Sequence, residues 1–134
     1  MNRSTPIASD VDAAVRRLLA QASIEIAARD LGEAAELARA REVFIPWTPN
    51  LDASAMIAAT ARARELGLAP VPHVVARRLA SAPAARDLLG ELHRRGAEAV
   101  LLVGGDLREA AGPFHSSYEL LRTGLLQECG FAQA

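Results

Sequence analysis

The sequence predicts a single α/β domain in which helices alternate with the strands of a parallel sheet. Short apolar runs rich in Val, Ile and Leu begin near Ser23, Val43, His73 and Ala99. Segments with helical periodicity separate them, so the runs recur every roughly 20 to 30 residues, as repeated β-α units require. No low-complexity linker divides the 134 residues. We therefore expect residues 1–134 to form one domain with one core.

Capping residues and apolar spacing predict the elements near the N-terminus. Ser9 or Asp10 can cap a helix whose apolar residues recur at helical intervals. The run Ser23-Ile24-Glu25-Ile26-Ala27 predicts the first strand. Asp30-Leu31-Gly32-Glu33 has the form of a capping box and predicts a second helix that ends near Ala40.

The central elements are predicted from their prolines, glycines and caps. We expect strands over residues 42–45 and 71–76. Between them we expect a helix that is capped by Asn50 or Asp52 and ends at Leu66. After the second of these strands we expect a helix that begins at Ser81 and Pro83 and ends at Gly96. In that last helix, the buried stripe is predicted to be Leu88, Leu89 and Leu92. Proline has no N–H to donate, so Pro70 and Pro72 predict that regular pairing of the third strand begins near His73.

The fourth strand is predicted over residues 99–103, where an apolar run ends in Gly104-Gly105-Asp106. Paired glycines let the backbone approach a neighbour closely, which fits either a tight turn or a ligand site with Asp106 at its rim. A helix capped by Ser116 or Ser117 is predicted to run to Glu128. Gly130-Phe131-Ala132 then predicts the start of a fifth strand.

Composition narrows the class of protein. A net charge of -1 gives no support to nucleic-acid binding. The single cysteine, Cys129, cannot form an internal disulfide, and no apolar run approaches the roughly 20 residues that span a bilayer. We therefore expect a cytoplasmic protein that does not enter membranes. His73, His93 and His115 lack the spacing of metal ligands, so no metal site is predicted.

Alternation along the first strand makes Glu25 a candidate catalytic residue. If Ile24 and Ile26 face the covering helices, then Glu25 faces the other side. In a barrel that side is the lumen, where partial desolvation would raise the pKa of the carboxyl and suit it to general acid catalysis. A strand-end glutamate in solvent is the alternative.

Four further side chains admit two interpretations each. His73 is either a core histidine or a site residue, and Trp47 is either a packing residue or a stacking wall. Arg77 and Arg78 follow the third strand, where they could contact an anionic ligand or lie solvated.

The motifs taken together resemble the methylenetetrahydrofolate reductase family, and in particular its short, divergent bacterial members. The resemblance is carried, in order, by Ser-Ile-Glu-Ile at 23–26, Val-Pro-His at 71–73, Gly-Gly-Asp at 104–106 and Gly-Pro-Phe-His-Ser-Ser at 112–117. It extends over about residues 20 to 134. It implies a (β/α)8 TIM-type barrel, of which 134 residues would form the amino-terminal half, since a complete barrel needs about 250 residues.

The resemblance also implies an activity, the NAD(P)H-dependent reduction of 5,10-methylenetetrahydrofolate to 5-methyltetrahydrofolate. Glu25 would match the family's general acid, and Asp106 the aspartate beside the flavin and the pterin. The cofactor-binding residues would be His73, Trp47, Gly104, Gly105 and Ser117.

Departures from the family pattern bear on the cofactor and on the assembly. Pro46, Gly104 and Ser116-Ser117-Tyr118 stand where the main branch has threonine, arginine and Tyr-Ala-Ser, so we expect FAD to bind weakly or not at all. Half a barrel leaves two unpaired strand edges, so we expect self-association and little or no turnover by a monomer. A non-catalytic half-barrel remnant or a folate-binding module is the alternative function.

Overall fold

Four parallel strands form one sheet in the order β1-β2-β3-β4, with helices between successive strands. The computed structural model describes residues 6–37 and 42–132. Its strands are β1 (Ile24–Glu25), β2 (Val43–Ile45), β3 (Pro70–Val75) and β4 (Leu101–Val103), and its helices are α1 (Pro6–Gln21), α2 (Leu31–Leu37), α3 (Ala53–Glu65), α4 (Ala82–Arg94), α5 (Ser117–Leu121) and α6 (Leu125–Glu128). The predicted α/β class with a parallel sheet is confirmed.

Pairing of β3 begins at Pro70 on one side and at His73 on the other. Pro70 is paired with Val43 of β2, whereas the register with β4 starts at His73 and Leu101. The Val43 N–H donates to Ala69 O at 2.8 Å, so the backbone groups of the odd-numbered residues of β3 are hydrogen-bonded to β2. The backbone nitrogens of Pro70 and Pro72, which have no N–H to donate, therefore face β4. The prediction that pairing starts near His73 therefore holds for β4 and is wrong for β2.

The two faces of the sheet differ in what they contact. Val43, Ile45 and Val74 are fully buried in the core that the helices form, and Ile24 and Ile26 pack against that core. The opposite face, which we call the open face, is made by residues that lie outside this core: Glu25, Phe44, Val71, His73 and Leu101. The alternation predicted for β1 is confirmed, because Glu25 lies opposite its isoleucine neighbours.

The caps of α3 and α4 are those that the sequence predicts. The Asp52 carboxylate accepts a hydrogen bond from the Ala55 N–H at 2.7 Å, and the Ser81 hydroxyl accepts one from the Ala84 N–H at 3.1 Å. The predicted stripe of α4 is buried against the core. The two helices lie side by side, and α3 covers β2 and β3.

Three predicted elements differ in the structure. α1 begins at Pro6, upstream of the predicted caps, because proline suits the first position of a helix. The helix predicted to run to Glu128 is two short helices, since Gly124 adopts φ 76° and interrupts it. The residues predicted to start a fifth strand, 130–132, form a turn in which Phe131 is buried against His93. Ala40, the predicted end of α2, lies outside the described residues.

α1 contributes no buried side chain over residues 10–21. Its large apolar residues are exposed instead: Val11, Val15, Leu18 and Leu19. Among the helices of residues 6–37 and 42–132, none combines the length and the apolar character that crossing a membrane requires.

Candidate functional site

Glu25 and His73 meet on the open face, across the intervening strand β2. Oε2 of Glu25 lies 3.6 Å from Nε2 of His73, just beyond hydrogen-bond distance. The ring of Phe44, which is paired with Glu25 in the register of β1 and β2, packs edge-on against His73 at 6.3 Å between centroids. The parallel register thus brings an acid and a base from β1 and β3 together.

Burial is unequal within this pair. The side chain of His73 is 12% exposed, and its Nε2 is buried without a hydrogen-bond partner among the described residues. Desolvation lowers the pKa of His73 below its ordinary 6.5, and the nearby charge of Glu25 opposes part of that change. Burial therefore favours the neutral imidazole over the charged one, and one ring nitrogen lies nearest the carboxylate.

Glu25 itself is 63% exposed in the side chain, which differs from the desolvated position expected for it. Glu25 lies on β1, the strand at the edge of the sheet, where water reaches its carboxylate, whereas Val71 and His73 of β3 are largely buried on the same face. Only a further layer over the open face would create the environment that general acid catalysis requires.

Arg77 fixes the loop that follows β4. Its guanidinium donates to the carbonyl oxygens of Leu107 and Arg108 at 2.7 Å each and of His115 at 3.2 Å. Its backbone N–H donates to Gly104 O at 3.1 Å, and its carbonyl accepts from the N–H of residue 111. The cation of Arg77 is thus occupied by backbone carbonyls.

Arg78 does the same for the loop that follows β2. It donates to the carbonyl oxygens of Trp47, Thr48 and Leu51, and its guanidinium carbon lies 4.5 Å from the centroid of the Trp47 ring. Trp47 is buried, and its indole N–H donates to Leu51 O at 2.8 Å. One ring face and the N–H of Trp47 are therefore occupied, so the structure favours packing over a stacking wall.

Of the two glycines after β4, only Gly105 lies close against another residue, Val75. Gly105 adopts φ 95°, and a Cβ there would lie 2.5 Å from Cγ1 of Val75. A Cβ on Gly104 would meet nothing within 4 Å. Asp106 is exposed and has no hydrogen bond or ion pair with any residue that the structure describes. The tight-turn interpretation accounts for Gly105.

The two larger cavities beside the sheet lie at its carboxyl end and at its β4 edge. A cleft of about 290 Å³ lies beyond the carboxyl ends of β1 and β2, lined by Ala27, Ala28, Arg29, Thr48, Asn50 and Leu51. A groove of about 390 Å³ follows the outer edge of β4, where Ser117 lies with Leu101, Leu102, Tyr118 and Leu121. The first cleft is at the sheet edge where parallel α/β proteins bind ligands.

The predicted site residues are therefore only partly assembled. Glu25 and His73 are in contact, whereas Trp47, Asp106 and Ser117 each have separate surroundings. Sequence reasoning assigned Arg77 and Arg78 to an anion or to solvent, and neither interpretation describes their carbonyl partners. The position of both residues directly after β3, between two loops, was the one signal that could have indicated this role.

No protein-family model matches the chain. Within residues 6–37 and 42–132, no group of three or more His, Cys, Asp or Glu side chains is arranged to hold a metal ion.

Proposed function

We propose that this chain contributes the proton-donating half of a site for the NAD(P)H-dependent reduction of 5,10-methylenetetrahydrofolate, in a β/α barrel of which it forms one half. The observation that carries the proposal is the contact between Glu25 and His73 on the open face. The sequential strand order and the one-sided packing of the core also support half a barrel, because the strands of a barrel follow one another without a switch point.

The role of Glu25 follows from its chemistry and its neighbour. Reduction of the substrate opens a five-membered ring, and the departing nitrogen must accept a proton as the hydride arrives at carbon. A carboxylic acid supplies that proton once its pKa is raised toward neutrality by enclosure. The neutral imidazole of His73 lies 3.6 Å away, where it can orient the carboxyl group without adding a positive charge.

The nicotinamide cofactor would supply the hydride. The cleft between the loops after β1 and β2 begins at Ala27, two residues beyond Glu25, and it offers Arg29, Thr48 and Asn50 as polar contacts. Its volume of about 290 Å³ suits one ring system or one end of a cofactor, and not an entire dinucleotide.

The residues expected to bind FAD do not fit that group. The guanidinium of Arg78 covers one face of the Trp47 ring, and Val75 occupies the space beside Gly105. Both guanidinium groups after β3 donate to backbone carbonyls, so neither is free for a pyrophosphate. We therefore assign no flavin step to this chain.

A folate-binding module without turnover is the second candidate. The exposure of Glu25, and of Asp106, favours it. Such a protein would bind the ligand on the open face but would lack the desolvated acid that the reaction needs.

Binding and turnover assays separate the two functions. The purified chain, at high concentration, is titrated with tetrahydrofolate and then assayed for 5-methyltetrahydrofolate from 5,10-methylenetetrahydrofolate and NADH or NADPH. For the reductase we expect saturable binding and slow product formation. Glu25→Gln should lower the rate of product formation by on the order of 100-fold or more. Glu65→Gln, an exposed carboxylate on α3 paired with Arg62, is the matched control and leaves both unchanged.

Three outcomes are informative. Saturable folate binding without any product formation identifies the binding module. Product formation unaffected by Glu25→Gln contradicts the assigned proton donor. No folate binding at all contradicts both candidates.

A further inference from the structure

Seven of the large exposed apolar side chains of the described residues fall into two patches. The helix patch consists of Val11, Val15, Leu18 and Leu19 on α1, and the β4 patch consists of Leu101, Tyr118 and Leu121 on β4 and α5. Their exposed fractions range from 38% to 70%. Neither patch covers the other within the chain.

The two patches belong to opposite edges of the sheet. Two residues, Ala22 and Ser23, join α1 to β1, which is the strand at one edge. β4 is the strand at the other edge, and no described strand pairs with its outer side. The groove is lined by Leu101 and Leu102 of the edge strand and by Ser117, Tyr118 and Leu121 of α5, so it lies beside the open edge.

We propose that the helix patch of one copy docks in the β4 groove of a second copy, and that two such contacts related by a two-fold axis form a dimer. The axis runs along the strands, so that β4 of each copy lies beside β1 of the other and remains parallel to it. Four strands from each copy then give eight, the number that closes a β/α barrel. In this arrangement β1 covers the open edge of β4, α1 covers Tyr118 and Leu121 beside that edge, and Leu101 faces the enclosed interior.

The area of the patches agrees with a stable interface. Seven side chains at about half exposure present roughly 350 Å² of apolar surface per copy, since burying one such side chain fully removes ~60–120 Å². A standard interface buries about 800 Å² per partner, of which somewhat more than half is apolar. The two patches supply most of that apolar share, and the strand edges supply polar groups for the rest.

This arrangement has a consequence for Glu25, although the association itself does not depend on any reaction. Closing the sheet turns the open face of each copy toward the other. The carboxylate, 63% exposed in one copy, then borders an enclosed interior, and His73 lies deeper within it.

Complementation between two variants tests the proposed contact. Leu18→Glu disrupts the helix patch and Leu121→Glu disrupts the β4 patch, and Ala20→Glu, which is exposed on the far side of α1, is the matched control. Sedimentation velocity is measured over a range of concentrations. We expect each patch variant alone to raise the dissociation constant of the dimer by roughly 10-fold to 100-fold, and the control to leave it unchanged.

Mixing the two variants distinguishes this contact from other modes of association. A mixed dimer has one intact contact, between the α1 of the Leu121→Glu chain and the groove of the Leu18→Glu chain, and one contact that carries both substitutions. Each variant alone has no intact contact, so we expect the mixture to recover part of the wild-type dimer at concentrations where each variant alone is monomeric. A dimer weakened by Leu18→Glu but not by Leu121→Glu would show α1 pairing with α1 and would overturn the proposal. A wild-type monomer at every concentration, or an open-ended series of oligomers, would overturn it as well. Circular dichroism spectra matching wild type exclude unfolding as the cause.

Discussion

The guanidinium of Arg78 lies over the ring of Trp47 at 4.5 Å and also donates to three carbonyl oxygens of the loop that carries that ring. Leu51 O accepts from Arg78 and from the indole N–H together. One side chain at the end of β3 thus fixes the loop after β2, as Arg77 fixes the loop after β4. Two consecutive arginines organise the carboxyl edge of the sheet.

Arg78→Ala should lower the free energy of unfolding by about 2–3 kcal/mol, because it leaves three carbonyls without their charged donor and uncovers the indole. Denaturant unfolding followed by fluorescence of Trp47, the one tryptophan of the chain, measures the loss. Arg62→Ala, which removes an exposed helical pair, should change stability by no more than about 0.5 kcal/mol. Equal losses in the two variants would refute the role of Arg78.

Gly105→Ala should destabilise the chain by about 1–3 kcal/mol, because the new Cβ meets Val75 and the backbone has φ 95°. The neighbouring Gly104→Ala is the control, since its Cβ meets nothing within 4 Å. Thermal unfolding compares the two variants. A Gly105→Ala variant as stable as wild type would show that this turn is not as tight as described.

Stability should fall as the pH drops below about 6.5, because the pKa of His73 is lower in the folded chain than in the unfolded one. The unfolded state then binds more protons, so acid favours unfolding. The dependence should weaken in His73→Asn and persist in His115→Asn, whose side chain is exposed. Unfolding midpoints measured at several pH values test this, and a stability that rises on acidification would contradict the burial of His73.

Glu25→Gln should lower the pKa of His73 further, because it removes the carboxylate charge that opposes desolvation. The imidazole resonances of the three histidines report this in an NMR titration. An unchanged or raised pKa for His73 in this variant would show that the two groups do not interact in solution.

Much of the fold follows from local signals, whereas the site depends on contacts between distant segments. The caps Asp52 and Ser81 and the facing of Glu25 depend on spacing within a few residues, which the sequence displays. The apolar residues on both sides of Gly124 predict one continuous helix. In the structure the chain turns at Gly124, and this turn lets Leu120 of α5 and Leu125 and Leu126 of α6 all be buried. The partners of Arg77 lie 30 to 38 residues away, so no local pattern encodes them.

Binding of tetrahydrofolate, followed by the histidine NMR resonances, tests most directly whether the open face is a folate site. His73 lies on that face, whereas His93 packs against Phe131 and His115 belongs to the loop after β4. The variants His93→Gln and His115→Gln assign the three signals. We expect a saturable shift of the His73 resonance alone, and we expect Glu25→Gln to weaken it. A titration that leaves His73 unmoved, or that shifts all three histidines without saturation, would contradict it.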